Sequence, residues 1–186
     1  MANRFQKPGF LSEKQFREHI KLYEGYVKKS ESIKNKFEEV SWEDANTTQS
    51  SVRNLLLGEI FANNGAKLHE YYFGNLGKSR LNGEIKKALL EDFKTMEEFE
   101  KRLIAFALSS RGWVILAWDF EMKRLRLFGT DQHDVAVWNT VPLLVLDVYE
   151  HAYFIDYGTD RKKYVEDFLT EIDWKVVNDR FKAISN

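Results

Sequence analysis

Asp147 and His151 stand four residues apart after an apolar run, Val141–Leu146, that has the composition of a buried strand. A buried carboxylate or imidazole is costly unless it is paired or binds a metal. The chain has only four histidines, at positions 19, 69, 133 and 151. Two imidazoles from helices could meet this Asp–His pair, and three imidazoles with one carboxylate suit a borderline first-row metal ion. These residue types would allow a metal centre made of His19, His69, Asp147 and His151.

Each of these residues also has a plainer interpretation. A single histidine on an apolar helix face is usually a core residue whose hydrogen bonds are satisfied, and this applies to His19 and to His69 separately. An aspartate four residues before a histidine is also a common surface pattern. The spacing alone leaves these interpretations open beside the metal centre.

Two long helical patterns would carry the first two histidines. Apolar residues recur at three- and four-residue steps over Leu11–Glu39, which contains His19, and again over Ser50–Phe73, which contains His69. The segment Gly74–Gly77 ends the second pattern. We expect the two helices to form an antiparallel hairpin.

The first helix has signals of its own. Ser12 is a candidate N-cap, with Gln15 three residues later as in a capping box. His19, Tyr23 and Tyr26 stand at positions i, i+4 and i+7, so the three side chains share one helix face. This face would place two phenols beside the first histidine.

The second half of the chain changes in pattern. Two shorter helices are predicted over Leu81–Leu90 and Met96–Leu108. Three strands follow over Gly112–Asp119, Arg124–Phe128 and Val141–Val148. Two closing helices are predicted over Arg161–Leu169 and Ile172–Ser185. Helices that are followed by a small sheet with helices indicate an α+β fold.

Composition narrows the class of protein. The 186 residues are 44% hydrophobic and 31% charged, as in a soluble globular protein. The net charge of −1 argues against nucleic acid as a partner. There is no cysteine, which excludes disulfides, thiolate metal sites and iron–sulfur clusters. No stretch approaches the roughly 18 apolar residues of a membrane span, and without a secretory apolar region at the N-terminus we expect a cytoplasmic location.

Several motifs carry a resemblance to a known family. DVYEHAYFIDY (Asp147–Tyr157) resembles the signature of the manganese/iron superoxide dismutases, whose consensus is Asp-Val-Trp-Glu-His-Ala-Tyr-Tyr. Three further segments resemble that family in the same order along the chain: NNGAKLHEYYF (Asn63–Phe73), SSRGWVILAW (Ser109–Trp118) and DRKKYVEDFLTEIDWKVV (Asp160–Val177).

The resemblance implies an architecture and a ligand set. It implies a helical hairpin domain, residues 1–78, packed on an α+β domain, residues 79–186, with a three-stranded antiparallel sheet and the metal between them. The implied metal ligands are His19, His69, Asp147 and His151, with water or hydroxide as the fifth. A homodimer, possibly a tetramer, is implied as well.

The implied activity is antioxidant. Such an oxidoreductase disproportionates superoxide to oxygen and hydrogen peroxide by one-electron cycling of a bound manganese or iron ion, one per chain. Many iron-type members carry a Gln four residues before the second histidine ligand, where this chain has Gly65. That difference slightly favours manganese.

The resemblance also implies roles around the metal. Tyr26 would relay protons, Gln132 would hydrogen-bond the metal's solvent ligand, Trp113 would wall the cavity, and Arg161 would steer the anion. Glu150 would reach the His151 of a partner subunit across a two-fold axis and fix its tautomer. We expect His133, next to Gln132, to be a loop residue rather than a ligand.

The chain departs from the family pattern at four places. His19 and Tyr26 are seven residues apart, whereas the family has eight, and strict spacing would put Glu18 at the metal. We prefer His19, in a helix that lacks a local bulge. The other three departures are Tyr23 for the family's channel His, Phe154 for the second Tyr of the signature, and Tyr149 for its Trp. They keep an alternative open, a non-catalytic metal-binding or structural dimer, with a metal-free helical interaction domain as a third possibility.

Overall fold

The N-terminal part of the molecule is a pair of long antiparallel helices. A computed structural model describes residues 4–135 and 137–184. Helix α1 spans Glu13–Phe37 and helix α2 spans Ser51–Gly74, and the two pack along each other. Helix α1 is α-helical at every residue, so it contains no bulge.

Serine caps begin both helices. The Ser12 hydroxyl accepts from the backbone N–H of Gln15 in α1, and the Ser50 hydroxyl accepts from Arg53 in α2. The capping box expected in α1 is only half formed. The Gln15 side chain bonds to His151 and Ile155, and the N–H of Ser12 donates to Asp156. A long-range partner therefore replaces the local one.

The remaining elements form a small sheet flanked by helices. The helices are α3 (Gly83–Phe93), α4 (Met96–Ser109), α5 (Phe154–Tyr157), α6 (Arg161–Thr170) and α7 (Trp174–Ile184). The strands are β1 (Trp113–Asp119), β2 (Arg124–Thr130) and β3 (Thr140–Asp147). They form an antiparallel sheet in the order β2–β1–β3. A 3-10 turn, Glu150–Ala152, follows β3.

The predicted α+β fold is confirmed. Every predicted helix and strand is present, with ends displaced by up to three residues, and the sheet has the expected three antiparallel strands. The last residue of the predicted closing helix, Ser185, lies outside the described residues. The division at residues 78 and 79 stays a prediction. No helix of the part of the chain that the structure describes is long and apolar enough to cross a membrane.

The two halves meet on a buried layer that carries the site. Helix α2 packs against β3, where the fully buried Asn75 pairs with the backbone of Val145 in both directions (2.9 and 3.3 Å). In the sheet register Trp113 stands opposite Asp147. The start of β1, the end of β3 and the end of α2 therefore lie together.

Candidate metal centre

Four side chains from both halves of the chain converge on one point. His19, His69, Asp147 and His151 each offer a ligand atom, and these atoms all lie within 4.8 Å of one another. The side chains of the first three have no exposed surface, whereas that of His151 is 29% exposed. The cluster is therefore buried except at His151.

Helix α1 delivers His19 and excludes its neighbour. His19 is buried, and its Nε2 lies 3.1 Å from Oδ2 of Asp147. Glu18 points the other way, is half-exposed and forms an ion pair with Lys21. The alternative register with Glu18 at the metal is therefore wrong, because an unbulged helix turns that residue to solvent.

Helix α2 carries His69 with one nitrogen free to bind a metal ion. The Nδ1 atom lies 2.6 Å from the carbonyl oxygen of Gly65. A carbonyl can only accept, so Nδ1 carries the hydrogen and Nε2 has a free lone pair. Among the described residues, His69 Nε2 and His19 Nδ1 are the two buried side-chain atoms without a hydrogen-bond partner. A buried nitrogen with a free lone pair has the character of a metal ligand.

Asp147 stands at the centre of the cluster. Its Oδ2 lies 3.1 Å from His19 Nε2, 3.2 Å from His151 Nε2 and 3.6 Å from His69 Nε2. Its other oxygen, Oδ1, accepts from the backbone N–H of Tyr149. The end of β3 fixes this carboxylate, and the 3-10 turn after it brings His151 back to the same point.

Burial and the carboxylate set the protonation of the cluster. Burial lowers the pKa of His69 to about 3 and also lowers the pKa of His19. Burial alone would raise the pKa of Asp147, but the charge of His151 and the hydrogen bonds from the histidines lower it. Asp147 likewise overcomes the burial of His151 and raises that pKa. At neutral pH the cluster has a carboxylate and at least two neutral imidazoles.

This donor set fits a manganese or iron ion. Neutral imidazoles and a carboxylate are the ligand types that suit borderline divalent metals. A buried carboxylate that pairs with no lysine or arginine among the described residues also needs a cation for balance. The unpaired Nε2 of His69 faces that carboxylate at 3.6 Å. The four residues therefore could hold one metal ion.

A second group of side chains lies next to the ligands. The Tyr26 ring packs on His69 with a centroid distance of 5.3 Å, and its hydroxyl lies 2.8 Å from Nε2 of His133. Trp113 is fully buried, contacts His69, and donates from Nε1 to Nδ1 of His133 at 2.9 Å. Burial and the charge of Asp147 raise the pKa of Tyr26.

The position expected for Gln132 is occupied by its neighbour. Gln132 is exposed, and its backbone carbonyl accepts from the hydroxyl of Thr130. His133 is 2% exposed and lies between Trp113 and Tyr26. As expected, His133 lies in a loop and is not one of the four clustered residues, but its side chain points inward. The turn after β2 directs the side chain of residue 133 inward and that of residue 132 outward.

Gly65 leaves room for this arrangement. A Cβ atom at position 65 would lie 2.7 Å from Cδ1 of Tyr26, which is closer than real side chains approach. Tyr26 therefore fills the space above Gly65. The group that reaches toward the ligands comes from the loop after β2 and not from α2.

The other predicted site residues lie around the cluster. Glu150 is exposed at the start of the turn that carries His151. Arg161 is half-buried and donates to the carbonyl oxygen of Ser110 and to the hydroxyl of Tyr153, so its head group is already bound within the chain.

The departures from the family pattern have clear locations. Tyr23 is buried, and its hydroxyl accepts from Arg4 at 2.9 Å. Phe154 is exposed beside Ile155. The Tyr149 ring stacks on His151 with a centroid distance of 5.1 Å. Tyr23 therefore packs in the core, Phe154 lies on the surface, and Tyr149 covers the ring of His151.

The chain is similar to superoxide dismutases along most of its length. The family model for the C-terminal domain of iron/manganese superoxide dismutases matches residues 81–180. An iron superoxide dismutase of Aquifex aeolicus is 38% identical over 180 residues, which cover 92% of this chain and 84% of that protein. An iron superoxide dismutase of Methanothermobacter thermautotrophicus is 32% identical over 177 residues (89% and 83%). A manganese superoxide dismutase of Halobacterium salinarum is 31% identical over 154 residues (76% and 77%). With the ligand cluster in place, these matches show that the chain belongs to the iron/manganese superoxide dismutase family of enzymes.

Proposed function

We propose that this protein disproportionates superoxide with one bound iron or manganese ion. The observation that carries the proposal is the buried cluster of three imidazoles and one carboxylate within 4.8 Å. The net reaction converts two superoxide anions and two protons into one oxygen and one hydrogen peroxide. A bound iron or manganese ion supplies the one-electron redox chemistry.

The four ligand residues provide binding and charge. His19, His69 and His151 would bind as neutral imidazoles, and Asp147 is the single negative charge among them. A divalent or trivalent ion therefore leaves the site with net positive charge, which attracts an anionic substrate. The depressed pKa values of His19 and His69 keep these imidazoles unprotonated in the neutral range.

Tyr26 and His133 are suited to deliver protons. Peroxide needs two protons, and a buried site must pass them through hydroxyl or imidazole groups. Tyr26 lies against His69, and its raised pKa keeps its hydroxyl protonated at neutral pH. His133 supports that hydroxyl, in the place where the sequence predicts Gln132.

We propose further that two subunits join at the turn that carries His151. His151 is the one partly exposed ligand, and Glu150, Phe154 and Ile155 are exposed beside it. A two-fold contact would cover the apolar side chains. It would also bring Glu150 of the partner subunit to His151. A tetramer, a steering role for Arg161 and a cytoplasmic location stay predictions.

The test is activity after separate reconstitution with manganese and with iron. We expect one ion per chain and superoxide consumption with at least one of the two metals. The relatives include proteins named for each metal, and the slight preference for manganese stays a prediction that this comparison tests. Stoichiometric metal without superoxide consumption for either ion would contradict the proposal and favour a non-catalytic metal-binding dimer.

A further inference from the structure

Trp113, His133 and Tyr26 form a hydrogen-bonded chain whose first bond can run in only one direction. The indole Nε1 of Trp113 lies 2.9 Å from Nδ1 of His133, and Nε2 of His133 lies 2.8 Å from the hydroxyl of Tyr26. An indole N–H donates and cannot accept. Nδ1 of His133 must therefore accept. A neutral imidazole that accepts at Nδ1 carries its hydrogen on Nε2.

The packing around His133 holds the ring in this orientation. His133 is 2% exposed and Trp113 is fully buried, so water does not replace the indole. Phe61 and Tyr149 pack on the imidazole with centroid distances of 4.5 and 5.3 Å. The side-chain amide of Asn64 donates to the His133 carbonyl oxygen at 2.8 Å. Helix α2 thus anchors the backbone, and the aromatic rings restrict rotation of the side chain.

We infer that Trp113 is a positioning residue that holds His133 as the Nε2–H tautomer, so that the hydroxyl hydrogen of Tyr26 is directed to the oxygen species at the ligand cluster. With a hydrogen on Nε2, His133 donates to the Tyr26 oxygen, and the Tyr26 hydrogen stays free for another acceptor. The other tautomer would accept that hydrogen. Tyr26 would then offer only lone pairs where peroxide formation needs a donor. This inference rests on the proposed function, because it sets the direction of that proton path.

The dependence on Trp113 is particular to a histidine at position 133. An imidazole has one hydrogen in its neutral form, and the partner of one nitrogen decides where that hydrogen lies. A glutamine amide has two N–H donors whatever its oxygen accepts. A glutamine at this position would therefore donate to Tyr26 with or without the indole.

The tautomer can be measured directly. We would record long-range proton–nitrogen NMR spectra of histidine-labelled protein loaded with Zn²⁺, a diamagnetic ion that takes imidazole and carboxylate ligands. His133→Gln identifies the His133 signals. The native protein should show Nε2 protonated and Nδ1 bare, and Trp113→Phe should shift the population toward Nδ1–H. A protonated Nδ1 in the native protein would overturn the inference, even if the buried Trp113→Phe variant does not fold.

Turnover tests the consequence in the metal-loaded enzyme. Trp113→Phe should lower turnover roughly 10- to 100-fold, less than the roughly 100- to 10,000-fold contribution of a positioned proton donor, because Tyr26 itself is retained. In the His133→Gln background the same change should have a much smaller effect, and the difference is the coupling of the two residues. Trp118→Phe, at a partly buried tryptophan that packs on Phe181, is the matched control. Equal effects of Trp113→Phe in both backgrounds would show that Trp113 only fills space.

These outcomes separate the inference from the proposed function. The NMR measurement does not depend on activity. A correct tautomer in a protein that consumes no superoxide would reject the proposed function alone. An active enzyme with Nδ1 protonated would reject the inference alone.

Discussion

The side-chain amide of Gln15 makes two hydrogen bonds to the turn that carries His151. Its Nε2 donates to the His151 carbonyl oxygen at 2.7 Å, and its Oε1 accepts from the N–H of Ile155 at 3.0 Å. Gln15 is fully buried and stands four residues before His19, on the same face of α1. The helix that carries His19 therefore also holds the turn that carries His151.

Gln15→Leu should loosen that turn. The substitution keeps a similar volume but removes the partner of the His151 carbonyl and of the Ile155 N–H, which lie in a half-buried turn, at roughly 1–2 kcal/mol for each group. We expect the free energy of unfolding to fall by about 2–4 kcal/mol and metal release to a chelator to become faster. Lys14→Ala, at an exposed position of the same helix, is the control. Unchanged metal release in Gln15→Leu would contradict a role in holding His151.

His69→Ala should abolish metal retention. The variant removes the nitrogen that faces Asp147 and leaves that buried carboxylate with fewer partners. Metal analysis after purification measures the effect. Glu18→Gln should retain a full complement of metal, because Glu18 lies on the surface. Full metal content in His69→Ala would refute the ligand assignment.

His133→Ala should preserve metal binding and reduce turnover about 100-fold, since it removes the support of the Tyr26 hydroxyl. Gln132→Ala should change turnover less than about twofold, because an exposed side chain rarely contributes to a buried site. Steady-state superoxide consumption and metal content measure both variants. A larger loss in Gln132→Ala than in His133→Ala would restore the role that the sequence predicts for Gln132.

The metal-free protein should lose stability as the pH falls below about 6.5. His69 has a pKa of about 3 in the folded chain and about 6.5 in the unfolded chain. Between these values the unfolded chain binds a proton that the folded chain does not. The free energy of unfolding therefore rises with pH by about 1.4 kcal/mol per unit from this residue.

Two other histidines modify that pH dependence. The lowered pKa of His19 acts in the same direction. The raised pKa of His151 stabilises the fold at low pH, and this contribution disappears as the pH rises through its folded value. Urea unfolding at several pH values measures the slope. His69→Gln, which does not titrate, should have a smaller slope, and an unchanged slope would contradict a neutral buried His69.

Glu150→Ala should weaken the proposed dimer. A carboxylate that binds a partner's imidazole is worth more than an isolated surface charge, so we expect dissociation at a roughly 10-fold higher protein concentration. Metal should also be released faster from the separated subunits. Analytical ultracentrifugation measures the subunit equilibrium, and Glu166→Ala, at another exposed glutamate, is the control. A native protein that stays monomeric at all concentrations would reject the dimer itself.

The sequence was sufficient for the elements and for the residues of the His–Asp cluster, because both depend on local or strongly patterned signals. Apolar steps of three and four residues define α1 and α2, and the Asp-x3-His pair after an apolar strand points to the metal. The seven-residue step from His19 to Tyr26 predicted an unbulged helix, which α1 is. The types and spacing of residues predicted the helix faces correctly because the α-helix has a fixed period.

The sequence was insufficient where a loop or a long-range contact decides the position of a side chain. In the segment Thr130–Asp134 nothing distinguishes an inward Gln132 from an inward His133, since the turn conformation is set by contacts with α2. The Gln15 side chain had a local partner in the N–H of Ser12, but that N–H donates to Asp156 and the Gln15 side chain bonds to His151 instead. A buried amide in the first turn of an otherwise apolar face was the available signal for that contact.

The seven-residue spacing of His19 and Tyr26 on α1 makes the protein sensitive to insertions, which point substitutions do not test. Seven residues fall about 20° short of two full turns, whereas each added residue rotates the rest of the helix by about 100°. A single in-frame codon gained between His19 and Tyr26 would swing the phenol away unless the helix absorbed it as a bulge. Such a mutant would keep all four residues of the cluster and the bound ion, but turnover would fall because the Tyr26 hydroxyl could no longer donate a proton there.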